Sequence, residues 1–156
     1  MVTSTKRPNK RLVFPENWKK EQHVYAGDDL IEAYLKGRQD GKNEITNILS
    51  NTFEENIKKA TAIAEKLFNS AANKKIEFTS VHLKSEGIAS FTSIFLVRKD
   101  DFISDKFRNI LVLGRKLKKE LENENIYITF SFAIDDKGFS EKKLISDGYF
   151  LKYAKK

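Results

Sequence analysis

The 156-residue chain has no cysteine, only two histidines and two prolines, and a single tryptophan. Without cysteine there is no disulfide, no thiolate zinc site and no thiol nucleophile. The histidines, His23 and His82, stand in no HExxH or HxxxH spacing, so a zinc site needs acids brought together by folding. No GxSxG elbow marks a serine nucleophile, and no GK[ST] follows a glycine loop. No apolar run approaches the ~20 residues of a membrane span. The segment "MVTSTKRPNKRLVF" is basic but lacks the apolar stretch of a secretory signal. These absences point to a cytoplasmic chain, or one held in an intracellular or viral assembly, with no membrane partner and no cofactor.

What is present is charge and aromatic mass. Charged residues make up 33 % and hydrophobic ones 40 %, a folded and highly soluble balance, and twelve Phe with five Tyr point to an aromatic core. Net charge is +7, and Met1–Gln22 carries six basic against two acidic residues, so more than half of the excess lies there. A cationic arm on a nearly balanced body suits polyanions or acidic protein surfaces.

Three segments are expected: a basic extended arm over 1–25, a helical segment over 26–72 and an α+β domain over 73–156. Both prolines, Pro8 and Pro15, fall in the arm, which shows no sustained periodicity. Its aromatics, Phe14 and Trp18, suit an anchor on a partner or on the chain's own body. Asp28 and Asp29 open a helix near 28–40. Apolar steps of three and four predict another over 43–70, open to a division near 51 because Asn51 or Thr52 makes a cap with Glu55 behind it. "IEFTSVHLK" and "SFTSIFLVR" read as strands. Ser104 and Asp105 begin a helix with Phe107, Ile110, Leu111, Gly114, Leu117 and Leu121 on one face. "IYITFSFAI" alternates cleanly as a strand. Ser140 caps a short helix, and "YFLKY" makes a final edge strand or a helical tail. The fold class is α+β: an extended arm and long amphipathic helices, then a small β-β-α-β-α sheet domain with helices on one face.

"SEGIASFTSIFLV" poses the main chemical question. A phosphate-binding loop needs glycine-exposed N–H groups feeding a helix. Here one glycine, Gly87, precedes a strand, and the stretch reads as a hairpin turn. The order helix, strand, Gly/Ser-bearing loop, strand, helix, strand, helix over 55–153 resembles that of minimal nucleotidyltransferase domains. That resemblance implies metal-assisted phosphoryl transfer, with two acids one residue apart on the strand after the loop. Phe91–Leu96 holds no acid, and neither does Ile126–Thr129, so the resemblance implies an inactive relative and carries no site over. Asp100-Asp101, Asp135-Asp136 and Gly27-Asp28-Asp29 match no calcium-loop spacing. No catalytic residue and no metal ligand is assigned.

Two functions remain. In the first, a non-catalytic assembly or interaction protein docks on a partner or on itself through its arm and helices, using Leu12, Phe14, Trp18 and Tyr34. Arms of this kind recur in multi-subunit assemblies, viral and phage particles included. In the second, a nucleic-acid-binding module contacts phosphates with Lys6, Arg7, Lys10 and Arg11 of the arm, continuous with Arg115, Lys116, Lys118 and Lys119 of a helix.

Overall fold

The computed structural model describes residues 14–20 and 43–154. The expected helix over 28–40, the Gly27-Asp28-Asp29 stretch and His23 lie outside them. In chain order the elements are β1 (Lys19–Lys20), α1 (Asn43–Asn73), β2 (Phe78–Ser85), β3 (Ser90–Val97), α2 (Lys99–Phe102), α3 (Phe107–Glu122), β4 (Tyr127–Ile134), α4 (Glu141–Ser146) and β5 (Leu151–Ala154). The protein is α+β, with a mixed sheet of order β1-β5-β2-β3-β4. Among the described residues only the β3–β4 pair is parallel.

The 31-residue α1 runs unbroken past Asn51, as one helix without the division that Thr52 left open. Phe53, Ile57, Ala60, Ala64, Leu67 and Ala71 recur at helical spacing, and all are fully buried. Covering that stripe with the sheet outweighs a local cap at Thr52, because each large buried side chain contributes about 1.5–3 kcal/mol and a cap only about 1. Thr61, buried mid-helix, returns its hydroxyl to the Ile57 carbonyl at 2.8 Å, so the stripe accepts it. Asn56 reaches the Ile88 carbonyl in the β2–β3 turn at 3.1 Å.

Helices α1, α3 and α4 end in the same way. Ile76, Ile126 and Tyr149 each donate their backbone N–H to a carbonyl five residues back, at Ala71, Leu121 and Leu144. The residue before each, Lys75, Asn125 or Gly148, has positive φ. This is a Schellman ending, and the residue after the left-handed one is buried each time, turning the chain back into the core. Asn and Gly suit that conformation, whereas Lys75 holds it at φ 57° with a Cβ in the way. Lys75→Gly is therefore expected to raise stability by about 1 kcal/mol. An unchanged denaturation midpoint would show that no strain resides there.

Ser85–Val97 proves to be a hairpin, as expected. β2 and β3 are antiparallel, Glu86 N–H donates to the Ser90 carbonyl at 2.8 Å, and the Ser85 hydroxyl donates to the Gly87 carbonyl at 2.7 Å. A shift in register between Phe78 and Ser80 resets the alternation. Phe78, Val81 and Leu83 then face α1, while Ser80, His82 and Lys84 face away.

Ser104 and Asp105 do not open α3 directly. Ser104 closes the four-residue α2, donating to the Asp101 carbonyl at 2.7 Å, and α3 begins at Phe107. Of the expected α3 face, Phe107, Ile110, Gly114, Leu117 and Leu121 are buried, and Leu111 is not. Ser140 caps α4 as expected, accepting from the Lys143 N–H.

The last strand is interior, not an edge: β5 lies between β1 and β2. Because β4 is at the far side, residues 135–150 must cross β3 and β2. They do so on the face away from α1 and α3, where Tyr149 lies under the Lys84 ammonium and Glu141 meets Lys152. Helices thus occupy both faces, not one.

A chain of aromatic contacts runs under α1 and α3: Trp18, Tyr153, Phe68, Phe78, Phe132, Phe107 and Phe102, with neighbouring centroids 5.0–6.0 Å apart. It joins both ends of the sheet and the arm's anchored stretch into one core.

Candidate functional site

Among the described residues three places gather polar or charged side chains: a buried pair under the crossover, a cleft at the end of α1, and the outward face of α3.

The buried pair is Ser80 and His82 on β2, with Ser80 Oγ 3.1 Å from His82 Nε2. The β2–β5 register sets Lys152 beside His82, and Lys152 Nζ binds Glu141 Oε1 at 2.7 Å. A serine and an imidazole at this distance have the geometry of a nucleophile and its base. The surroundings remove the chemistry. Only 2 % of Ser80 and 1 % of His82 are exposed, so no substrate carbonyl reaches the hydroxyl. Nδ1 of His82 has no hydrogen-bond partner among the described residues, so no carboxylate orients the ring. Burial pushes the His82 pKa down to about 4, and Lys152 pushes the same way against Glu141. The ring is neutral at neutral pH and a poor proton acceptor. The Lys152 hydrogen bond holds Glu141 below the ordinary carboxylate range.

The cleft has a volume of about 380 Å³, a floor of Phe68, Ile76 and Phe78, and a charged rim. Its rim is internally paired: Arg98 meets Glu77 at 3.4 Å, and Asp101 accepts the Glu77 N–H at 2.9 Å. Among the described residues no nucleophile or base converges on it. Asp136 is likewise occupied, accepting the Gly138 N–H at 2.9 Å. Among the described residues no three His, Asp or Glu side chains gather as metal ligands. No described helix is long and apolar enough to cross a membrane.

The outward face of α3 is different. Arg108, Val112, Arg115 and Lys119 follow steps of four, three and four and form one exposed stripe, with Lys116 beside it and half-buried Lys118 at its flank. The ion pairs of the described residues join Lys58 to Glu54, Lys59 to Glu124, Lys84 to Glu86, Arg98 to Glu77 and Lys152 to Glu141. None involves the five cations of α3. Helix-dipole complementarity accounts for Lys119 in the last turn, but not for Arg108 in the first, where no acid is present. Sequence reasoning missed Arg108, although its spacing to Arg115 and Lys119, seven and eleven residues, was the signal.

The other named residues fall differently. Lys6, Arg7, Lys10, Arg11, Leu12 and Tyr34 lie outside the described residues. Trp18 is 4 % exposed and packs on Tyr153, and Phe14 is half-buried against Phe150. Their anchorage is on the chain's own body. The anchored stretch lies at the β1 edge and α3 at the β4 edge, about 19 Å away by strand spacing. The expected continuous surface is thus not formed by the arm's described part. No family model, curated protein or solved structure matches this chain.

Proposed function

We propose that this chain is a non-catalytic binding protein that docks the phosphate backbone of a nucleic acid on the outward face of α3. The observation that carries this reading is the set of cations at Arg108, Arg115, Lys116, Lys118 and Lys119, none of which forms an ion pair among the described residues. Five cations against two acids, Glu120 and Glu122, on one helix are electrostatically unfavourable in the free chain, and phosphates relieve that repulsion. Such contacts add affinity and salt dependence without sequence preference. Exposed Val112, at 59 %, gives the stripe an apolar centre for a sugar or base.

The test uses the full chain and a fluorescent single-stranded oligonucleotide of mixed sequence. Binding is expected to weaken steeply with salt. Arg108→Glu/Arg115→Glu/Lys119→Glu should lower affinity by about tenfold or more and flatten the salt slope by about 0.7 for each phosphate no longer neutralised. Salt-independent binding, or an unaffected triple variant, would refute the reading. Any arm deletion should stop at residue 13, because removing 1–22 also strips Trp18 from the core.

The first expectation, an assembly protein docking through its arm and helices, keeps a narrower basis. Phe14, Trp18 and the apolar face of α1 are used internally. A different surface speaks for self-association.

A further inference from the structure

β4 ends the sheet, and among the described residues nothing pairs with its outer side. Soluble proteins protect such edges with charge, proline, bulges or short strands, because an open row of backbone groups invites another strand. Here the edge is eight residues, YITFSFAI, without charge, proline or glycine. Its register with β3 is unbroken from end to end.

Hydrogen bonding shows which groups are open. Tyr127 and Asp135 donate inward, to the Ala89 and Val97 carbonyls at 2.8 Å. Peptide groups alternate sides along a strand, so Tyr127, Thr129, Ser131 and Ala133 turn toward β3. Ile128, Phe130, Phe132 and Ile134 present both N–H and C=O outward. Their side chains already lie on the core face, so a docking strand needs no rearrangement. Phe130 and Phe132 are only half-buried there, for want of a neighbour beyond them.

We propose that this edge is a homodimer interface, with a second copy's β4 pairing antiparallel about a two-fold axis at Ser131. In that register Phe130 faces the partner's Phe132, and Ile128 faces the partner's Ile134. On the other face Ser131 meets the partner's Ser131, and Thr129 meets the partner's Ala133. Large apolar side chains meet on the core face and small ones on the other, and no charge opposes a like charge. β4 itself carries no charge to oppose a second copy, and the exposed cation stripe of α3 points outward from the helix, away from the strand. The strand supplies its own complement, which favours a second copy over an unrelated peptide. The axis stands perpendicular to the sheet, so both α3 helices lie on one side. The interface stands on the chemistry of β4 and holds whether or not α3 binds nucleic acid.

Two measurements without nucleic acid test it. Sedimentation of the full chain is expected to show twice the 18.0 kDa mass at high concentration and dissociation on dilution. Hydrogen exchange at the Phe130 and Phe132 amides is expected to slow only in the dimer. Ser131→Lys sets two ammoniums together at the axis, on a sheet face where they still reach water, and should abolish the dimer; so should Ser131→Asp. Mixing these two variants should restore a dimer. A monomeric wild type, fast exchange at both amides at every concentration, a dimeric Ser131→Lys or no rescue on mixing would each overturn the assignment.

Discussion

Trp18→Ala is expected to lower stability by about 3–5 kcal/mol, the cost typical of emptying a large buried aromatic site. That is a substantial part of the roughly 5–15 kcal/mol a domain possesses. Trp18 sits in a basic, proline-bearing stretch, where truncation is ordinarily harmless. Here its ring lies 5.7 Å from Tyr153, centroid to centroid, at one end of the aromatic chain. A backbone bond from Trp18 N–H to the Pro15 carbonyl shapes the turn, and Lys19 then pairs with Lys152. Loss of the indole leaves a void against Tyr153 and removes the reason for β1 to join the sheet. The indole N–H has no hydrogen-bond partner among the described residues, so the loss is of packing alone. Trp18→Phe should recover much of it. Urea denaturation followed by far-ultraviolet dichroism measures the difference, and a change under about 1 kcal/mol would show that the stretch is not part of the core. As the only tryptophan, Trp18 also reports on itself: its emission should be blue-shifted in the folded chain and move to the red on unfolding.

Acidification should destabilise the protein through His82. The folded pKa of about 4 lies below the ordinary 6.5, so between those values the unfolded chain takes up a proton that the folded chain refuses. The stability this group contributes is whole above pH 6.5 and disappears as pH falls to about 4. Two and a half pKa units correspond to about 3 kcal/mol. Two physical causes set the sign: the ring is buried, and the Lys152 ammonium lies across the strand from it. Glu141 acts in the same direction but lower, since its depressed pKa stabilises the fold above pH 4.5 and that part is lost on further acidification. His82→Gln keeps a hydrogen-bonding side chain beside Ser80 and cannot titrate. Stability curves of the two proteins should diverge between pH 7 and 4, with the variant's much the flatter. Parallel curves would place the acid sensitivity elsewhere.

The strongest local signals are legible in the sequence because they depend on near neighbours. The alternation in Ile126–Ile134 needs only a period of two, and the buried positions of α3 only a period of 3.6. The cap at Ser140 and the turn at Ser85–Ser90 are set within a few residues. The helix endings are equally local, in Lys75-Ile76, Asn125-Ile126 and Gly148-Tyr149. Where an expectation fails, distant contacts override a local preference. Thr52 and Glu55 form a plausible helix start, yet Phe53 and Ile57 gain more by staying in one helix against the sheet. "YFLKY" has the content of a strand but nothing that specifies two neighbours.

The sequence alone determined the α+β class, most elements, the absence of thiol chemistry and the cationic character of α3, because composition and periodicity are properties of the chain itself. Only the tertiary structure decided that Trp18 turns inward, that His82 lies beside Lys152 beneath the crossover, and that, among the described residues, β4 rather than β5 ends the sheet. Each depends on which side chains and strands come together across long stretches of sequence. That choice is made by the burial of apolar surface over the whole molecule, and no local pattern encodes it.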